Sequence, residues 1–132
     1  KPTFDIGNDE MEFGVGIHGE PGRKREKIQP SKIIVNNMLE AIIDDLKPQK
    51  NEKTLLFVNG MGGTPLTELY LVYDNACEIL KSKGIEITRS LVGNYCTSLE
   101  MQGASITFLK CDEEILKNWD APVHTAAMRW GM

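Results

Sequence analysis

Residues 53–65 constrain the fold more tightly than any other stretch. Leu55-Leu56-Phe57-Val58 is a short, continuous apolar run, and such a run reads as an interior strand buried on both faces. It leads straight into Asn59-Gly60-Met61-Gly62-Gly63-Thr64-Pro65, a strand-to-helix turn. Thr64 is a favourable N-cap, Pro65 suits the first helical position, and Glu68 complements the helix dipole. The helix extends to about Lys83, with Leu66, Leu69, Tyr73, Ala76 or Cys77, and Leu80 on one face and Gly84 as its stop. A buried strand feeding an amphipathic helix must sit in a layered α/β arrangement.

The remaining segments fit that frame. Met11, Phe13, Val15 and Ile17 alternate with Glu12, Gly14 and Gly16, the period of a strand with one buried face. The absent side chains at Gly14 and Gly16 suggest a helix or backbone lying close over the other face. Residues 19–29 read as a glycine-rich, charged loop, in which Arg23, Lys24, Arg25 and Lys27 meet solvent, an anion or a partner. Pro30-Ser31 opens a helix with Val35, Leu39, Ile42 and Leu46 as its stripe, widened by Ile34 and Met38, and Pro48 ends it. Asp44 and Asp45 lie near its C-terminus, where the dipole disfavours them.

Ile85, Ile87 and Leu91 alternate with Glu86, Thr88 and Ser90, which predicts another strand. Arg89 falls on its apolar side and needs a partner or the rim. A loop, Gly93-Asn94-Tyr95-Cys96-Thr97-Ser98, precedes a strand holding Ala104, Ile106, Phe108 and Leu109. Asp112 caps a short helix over residues 113–119, and an extended tail containing His124 ends near Trp130. No long helix separates the strands after Gly84 and after Gly103, so an antiparallel relation between them is expected. The chain therefore predicts a mixed sheet with helices mainly on one face, rather than a doubly wound parallel sheet.

Composition narrows the function classes. The 132 residues, 41% hydrophobic and 26% charged, suit one globular domain. A net charge of −4 and a pI near 5.2 argue against nucleic acid, whose phosphates require a basic face. No apolar run approaches a membrane span, and no signal-peptide pattern opens the chain. Cys77, Cys96 and Cys111 form neither a metal-ligand spacing nor a disulfide framework, which fits a reducing cytoplasm. Cys77 and Cys111 sit in apolar patterns, as small core residues do. Cys96 lies among hydroxyls with no adjacent activating base.

Two glycine-bearing segments invite chemistry. The turn over residues 59–65 lacks the lysine and spacing of a phosphate loop and does not match the dinucleotide fingerprint. It reads as a compact turn for close helix–strand packing, with anion binding at the helix N-terminus as the alternative. The second segment is Gly14-Val15-Gly16-Ile17-His18-Gly19-Glu20-Pro21-Gly22. One imidazole stands on a nearly bare backbone, open to a ligand. The residues alone leave His18 either a structural histidine in a tight turn or a reactive group.

Four segments in order resemble the dihydroxyacetone kinases, in their DhaK-type subunit. The first runs Met11-Glu12-Phe13-Gly14-Val15-Gly16-Ile17-His18-Gly19-Glu20-Pro21-Gly22. The second is Val58-Asn59-Gly60-Met61-Gly62-Gly63-Thr64-Pro65-Leu66-Thr67-Glu68-Leu69-Tyr70. Gly93-Asn94-Tyr95-Cys96-Thr97-Ser98-Leu99-Glu100-Met101 and Trp119-Asp120-Ala121-Pro122-Val123-His124-Thr125 complete the set. The resemblance covers nearly the whole chain but only the C-terminal half of that subunit. The chain opens at Lys1 without an initiator methionine, and the expectation is one domain, residues 1–132, cut from a longer kinase subunit.

The resemblance implies a two-layer α/β domain with a six-stranded mixed sheet. It implies that His18 is the residue that bonds covalently to dihydroxyacetone, forming a hemiaminal at the C2 ketone before phosphorylation. Glycerol has no carbonyl and cannot form that bond, so selectivity comes from chemistry where shape alone discriminates weakly. The adduct also fixes the hydroxyl to be phosphorylated. Orienting the ring through its other nitrogen is one role open to Glu20, whose position the sequence does not fix. The resemblance assigns no nucleotide or metal ligand to this chain. ATP, or a tightly bound ADP, sits with magnesium on a separate DhaL-type domain or subunit. It implies further partners: an N-terminal domain of the same subunit carrying acid–base groups, and a second copy in a homodimer. The isolated chain is expected to fold without phosphorylating anything. Two other readings remain: a regulatory coactivator that captures dihydroxyacetone without phosphoryl transfer, and a structural dimerisation domain with an inert His18.

Overall fold

The computed structural model describes residues 5–16, 18, 20–99 and 101–131. Phe4, Ile17 at the predicted strand end, and Gly19 and Glu100 within their motifs lie outside the described residues. The elements follow as β1 (Glu10–Phe13), β2 (Lys24–Lys27), α1 (Ser31–Leu46), β3 (Thr54–Gly60), α2 (Leu66–Ser82), β4 (Arg89–Gly93), β5 (Ala104–Lys110), α3 (Glu113–Asp120), β6 (Val123–His124) and β7 (Arg129–Trp130).

The apolar run becomes the centre of the molecule. β3 lies between β4, which runs parallel to it, and β5, which runs antiparallel. Side chains alternate across a strand, so Leu56 and Val58 face one way. They meet Val35 and Leu39 of α1, Leu69, Ala76, Ile79 and Leu80 of α2, and Ile106 and Phe108 of β5. Leu55 points to the other face and is also buried. Arg89 sits level with Leu55 on β4, and Asp120 at the end of α3 grips its guanidinium with two hydrogen bonds of 2.7 Å. The arginine on an apolar face thus has the partner it requires. The exchange holds the Asp120 carboxyl below the usual carboxylate range, through the hydrogen bond first and the nearby positive charge second.

The mixed α/β layering is as expected, but the strands are distributed differently. Among the described residues the mixed sheet has three strands, and the other four form two hairpins, β1–β2 and β6–β7. β4 and β5 run antiparallel to each other as expected, but do not pair, because β3 lies between them. The strand predicted from Ile85 starts only at Arg89; Ile85 is buried and Thr88 donates to the Thr54 carbonyl at 2.8 Å. The basic run is not a loop. Residues 24–27 form β2 against β1, with Arg25 Nε 3.0 Å from Glu12 and Lys24 2.9 Å from Glu26. β1 stops at Phe13, because Gly14 turns the chain at φ +77°. What crowds Gly14 and Gly16 is neither helix nor neighbouring backbone but the Arg23 and Glu20 side chains of the same hairpin. Cys77 and Cys111 are half-buried rather than core residues, and Cys96 is exposed.

Candidate functional site

His18 lies in the turn after β1, with its side chain 85% exposed. It is not packed into the core, so the ring is open to a ligand or to a covering surface. Glu20 is its polar neighbour. Glu20 Oε2 accepts the His18 backbone N–H at 3.1 Å, and Oε1 lies 3.5 Å from His18 Nδ1. The Gly16 N–H closes the turn on the Glu20 carbonyl at 3.4 Å.

A second assembly forms at the carboxyl ends of β3 and β4, the end where open α/β sheets place ligands. It joins two of the sequence motifs. Asn59, 2% exposed, uses both the oxygen and the nitrogen of its amide on the neighbouring loop. Its Oδ1 accepts from Tyr95 N at 3.0 Å and Cys96 N at 2.9 Å, and its Nδ2 donates to the Cys96 carbonyl at 2.9 Å. Asn94 Oδ1 accepts from the Gly62 N–H at 3.2 Å. The Met61 and Gly63 N–H groups donate to the Gly103 and Met101 carbonyls, at 3.1 and 2.9 Å. Phe57 and Tyr95 stack at a tilt, 5.9 Å between centroids.

This network favours the packing reading of the glycine turn. The amides of Met61, Gly62 and Gly63 are spent on the protein itself and do not form a phosphate cradle. Gly62 sits at φ +104°, and a side chain on Gly63 would collide with the Met101 backbone, so the turn serves close packing. Thr64 is not the N-cap. Pro65 takes that position without a side-chain bond, while the Thr64 hydroxyl donates to the Gly103 carbonyl and accepts its N–H, both at 2.9 Å. Asp112 does cap α3, accepting from Ile115 N at 2.8 Å. Sequence reasoning missed the Asn59 clamp. Its signal was an asparagine closing an otherwise apolar strand, level with the Gly93 that precedes Asn94.

Two open cavities of about 450 and 410 Å³ lie between the β1–β2 hairpin and α1, both touching Arg23 and Ala41, and His18 lines neither. Among the described residues no helix is long and apolar enough to cross a membrane.

The comparisons with known proteins follow the same elements. The Dak1 domain matches over residues 1–127. The chain belongs to the Dak1 domain family. Within that family it is 40% identical, over 99% of its length, to the dihydroxyacetone-binding subunit DhaK of the PEP-dependent dihydroxyacetone kinase of Escherichia coli (strain K12). It is 47% identical, over 86% of its length, to the corresponding subunit of PTS-dependent dihydroxyacetone kinase 1 of Listeria innocua. The matched part makes up 44% and 34% of those two relatives, so this Dak1 chain spans less than half of either.

Two solved structures share the fold. The dihydroxyacetone kinase operon co-activator Dha-DhaQ superposes with a TM-score of 0.84 at 33% identity, covering 92% of this chain and 38% of that one. The dihydroxyacetone kinase from C. freundii, in complex with AMP-PNP and Mg2+, gives 0.73 at 26% identity, covering 96% of this chain and 23% of that one. The proteins this chain is similar to thus include both kinase subunits and a co-activator.

Proposed function

We propose that this chain is the part of a dihydroxyacetone kinase subunit that captures dihydroxyacetone covalently through His18. The observation that carries the reading is the exposed imidazole in a glycine-flanked turn, on a Dak1 domain whose relatives are dihydroxyacetone-binding subunits. The lone pair of a neutral ring nitrogen adds to the C2 carbonyl carbon. A C–N bond forms, the C=O π pair moves to oxygen, and that oxygen takes a proton while the ring loses its own. The product is a neutral hemiaminal. Capture fixes the terminal hydroxyl for phosphorylation to dihydroxyacetone phosphate, which replaces a bimolecular search by a held geometry.

Acid–base groups come from the remainder of the longer subunit. The phosphoryl group comes from ATP, or from a tightly bound ADP that is first rephosphorylated, with magnesium on a separate nucleotide-binding DhaL-type subunit or domain. The amides of Met61, Gly62 and Gly63, all bonded within the protein, favour this division. The full protein acts in the cytoplasm as a homodimer, and the chain alone supports no turnover.

A co-activator reading is favoured by one observation, the 0.84 TM-score to Dha-DhaQ. It keeps the capture step and drops phosphoryl transfer. Intact-mass spectrometry of the full-length protein with dihydroxyacetone, under mild trapping, tests capture. An adduct that maps to His18 and is absent with glycerol supports it; equal signals with both compounds, or an adduct elsewhere, overturn it. Turnover with an added nucleotide-binding subunit then separates kinase from co-activator.

A further inference from the structure

The turn around His18 contains a carboxylate with a divided task. Glu20 Oε2 is committed to the His18 backbone N–H at 3.1 Å, which anchors the carboxylate on the residue it faces. The other oxygen, Oε1, is thereby presented to Nδ1 of the ring at 3.5 Å. A carboxylate accepts and cannot donate, so at this ion-pair distance, longer than a hydrogen bond, it favours the proton on the nitrogen it faces. Gly16 supplies the room. A Cβ built there collides with Glu20 Oε2, while its backbone conformation is one any residue adopts. Backbone anchor, cleared space and ring contact all bear on one carboxylate.

We propose that Glu20 is a positioning residue that holds His18 in the Nδ1–H tautomer and leaves the Nε2 lone pair exposed for attack. The inference rests on the reading of His18 as the nucleophile for its use, but not for its test. Addition through Nε2 forms the C–N bond and breaks the C=O π bond. The ring passes through a cation whose remaining N–H faces Glu20. The carboxylate stabilises that charge until the Nδ1 proton leaves to solvent, and solvent protonates the new alkoxide. Atoms and charge balance with no other reactant.

Nitrogen-15 NMR of the full-length protein with labelled histidine reads the tautomer without substrate, and the signals lost in a His18→Gln variant identify the His18 ring. Wild type should show His18 protonated at Nδ1. Glu20→Ala should return it toward the Nε2–H form that free imidazole side chains prefer. Gly16→Ala leaves Glu20 in the chain but displaces its carboxylate, and should shift the tautomer in the same direction. Glu20→Gln, whose amide oxygen still accepts, should retain part of the bias. Dihydroxyacetone adduct affinity should fall about two- to fivefold in Glu20→Ala, the scale of an exposed charge pair. A wild-type His18 in the Nε2–H form, or tautomer populations unchanged in Glu20→Ala and Gly16→Ala, overturns the proposal. A tautomer shift in a protein that forms no adduct supports Glu20 positioning and sinks the capture reading, so the two failures are distinguishable.

Discussion

Replacing Asn59 by alanine removes the clamp that joins the carboxyl end of β3 to the loop after β4. Three hydrogen bonds disappear at once: two backbone donors, Tyr95 and Cys96, and one backbone acceptor, Cys96. Each is worth about 0.5–1.5 kcal/mol net. The Asn59 side chain is 2% exposed, but its loop partners lie in exposed residues where water replaces part of the loss. The expected destabilisation is therefore about 2–3 kcal/mol. With a urea slope of about 1–3 kcal/mol per molar, the midpoint falls by roughly 0.7–3 M. Asn94→Ala provides the internal scale. It removes one exposed bond, Gly62 N–H to Oδ1 at 3.2 Å, and should cost less than about 1 kcal/mol. Equilibrium urea unfolding of both variants, with amide hydrogen exchange at Tyr95 and Cys96, makes the comparison. Equal costs for the two variants, or unchanged protection of the Tyr95 and Cys96 amides in Asn59→Ala, would refute the reasoning.

Three further outcomes follow from the packing. Thr64→Val should cost about 1–2 kcal/mol in urea unfolding, because both bonds to Gly103 are lost, and should leave the helical circular dichroism unchanged because Thr64 caps nothing. Asp120 has a folded-state pKa below its unfolded value, so its stabilisation is present above about pH 4 and is lost as pH falls through the folded value. Asp120→Asn should accordingly show a shallower loss of thermal stability than wild type between about pH 5 and pH 2. Leu39→Ala, at a fully buried position between the helices and the sheet, should cost about 2–5 kcal/mol, whereas Leu99→Ala at a 98% exposed position should stay within about 0.5 kcal/mol.

The parts of the fold legible in the sequence are those dictated by local chemistry. The four apolar residues 55–58 announce a central strand, Asp112 announces the start of α3, and Gly84 takes φ +73° just after α2. What stayed hidden depends on distant partners. Lys24, Arg25 and Lys27 read as solvated charge, yet they lie on a strand whose side chains pair with Glu26, Glu12 and Asp9. The Thr64 hydroxyl was available to cap α2, but Gly103 offers it both a donor and an acceptor. β6 and β7 are two residues each, too short for any period to register. At the site, the glycines around His18 signalled an accessible ring, and its exposure agrees. The division of labour between the two Glu20 oxygens depends on a turn geometry that spacing alone does not encode.

The most direct test of the central claim is NMR of dihydroxyacetone carrying carbon-13 at C2, bound to full-length protein with nitrogen-15 histidine. The account predicts a tetrahedral carbon split by one-bond coupling to a ring nitrogen, present in wild type and lost in His18→Ala. A tetrahedral signal with no such coupling, or a coupling that survives in His18→Ala, would contradict it.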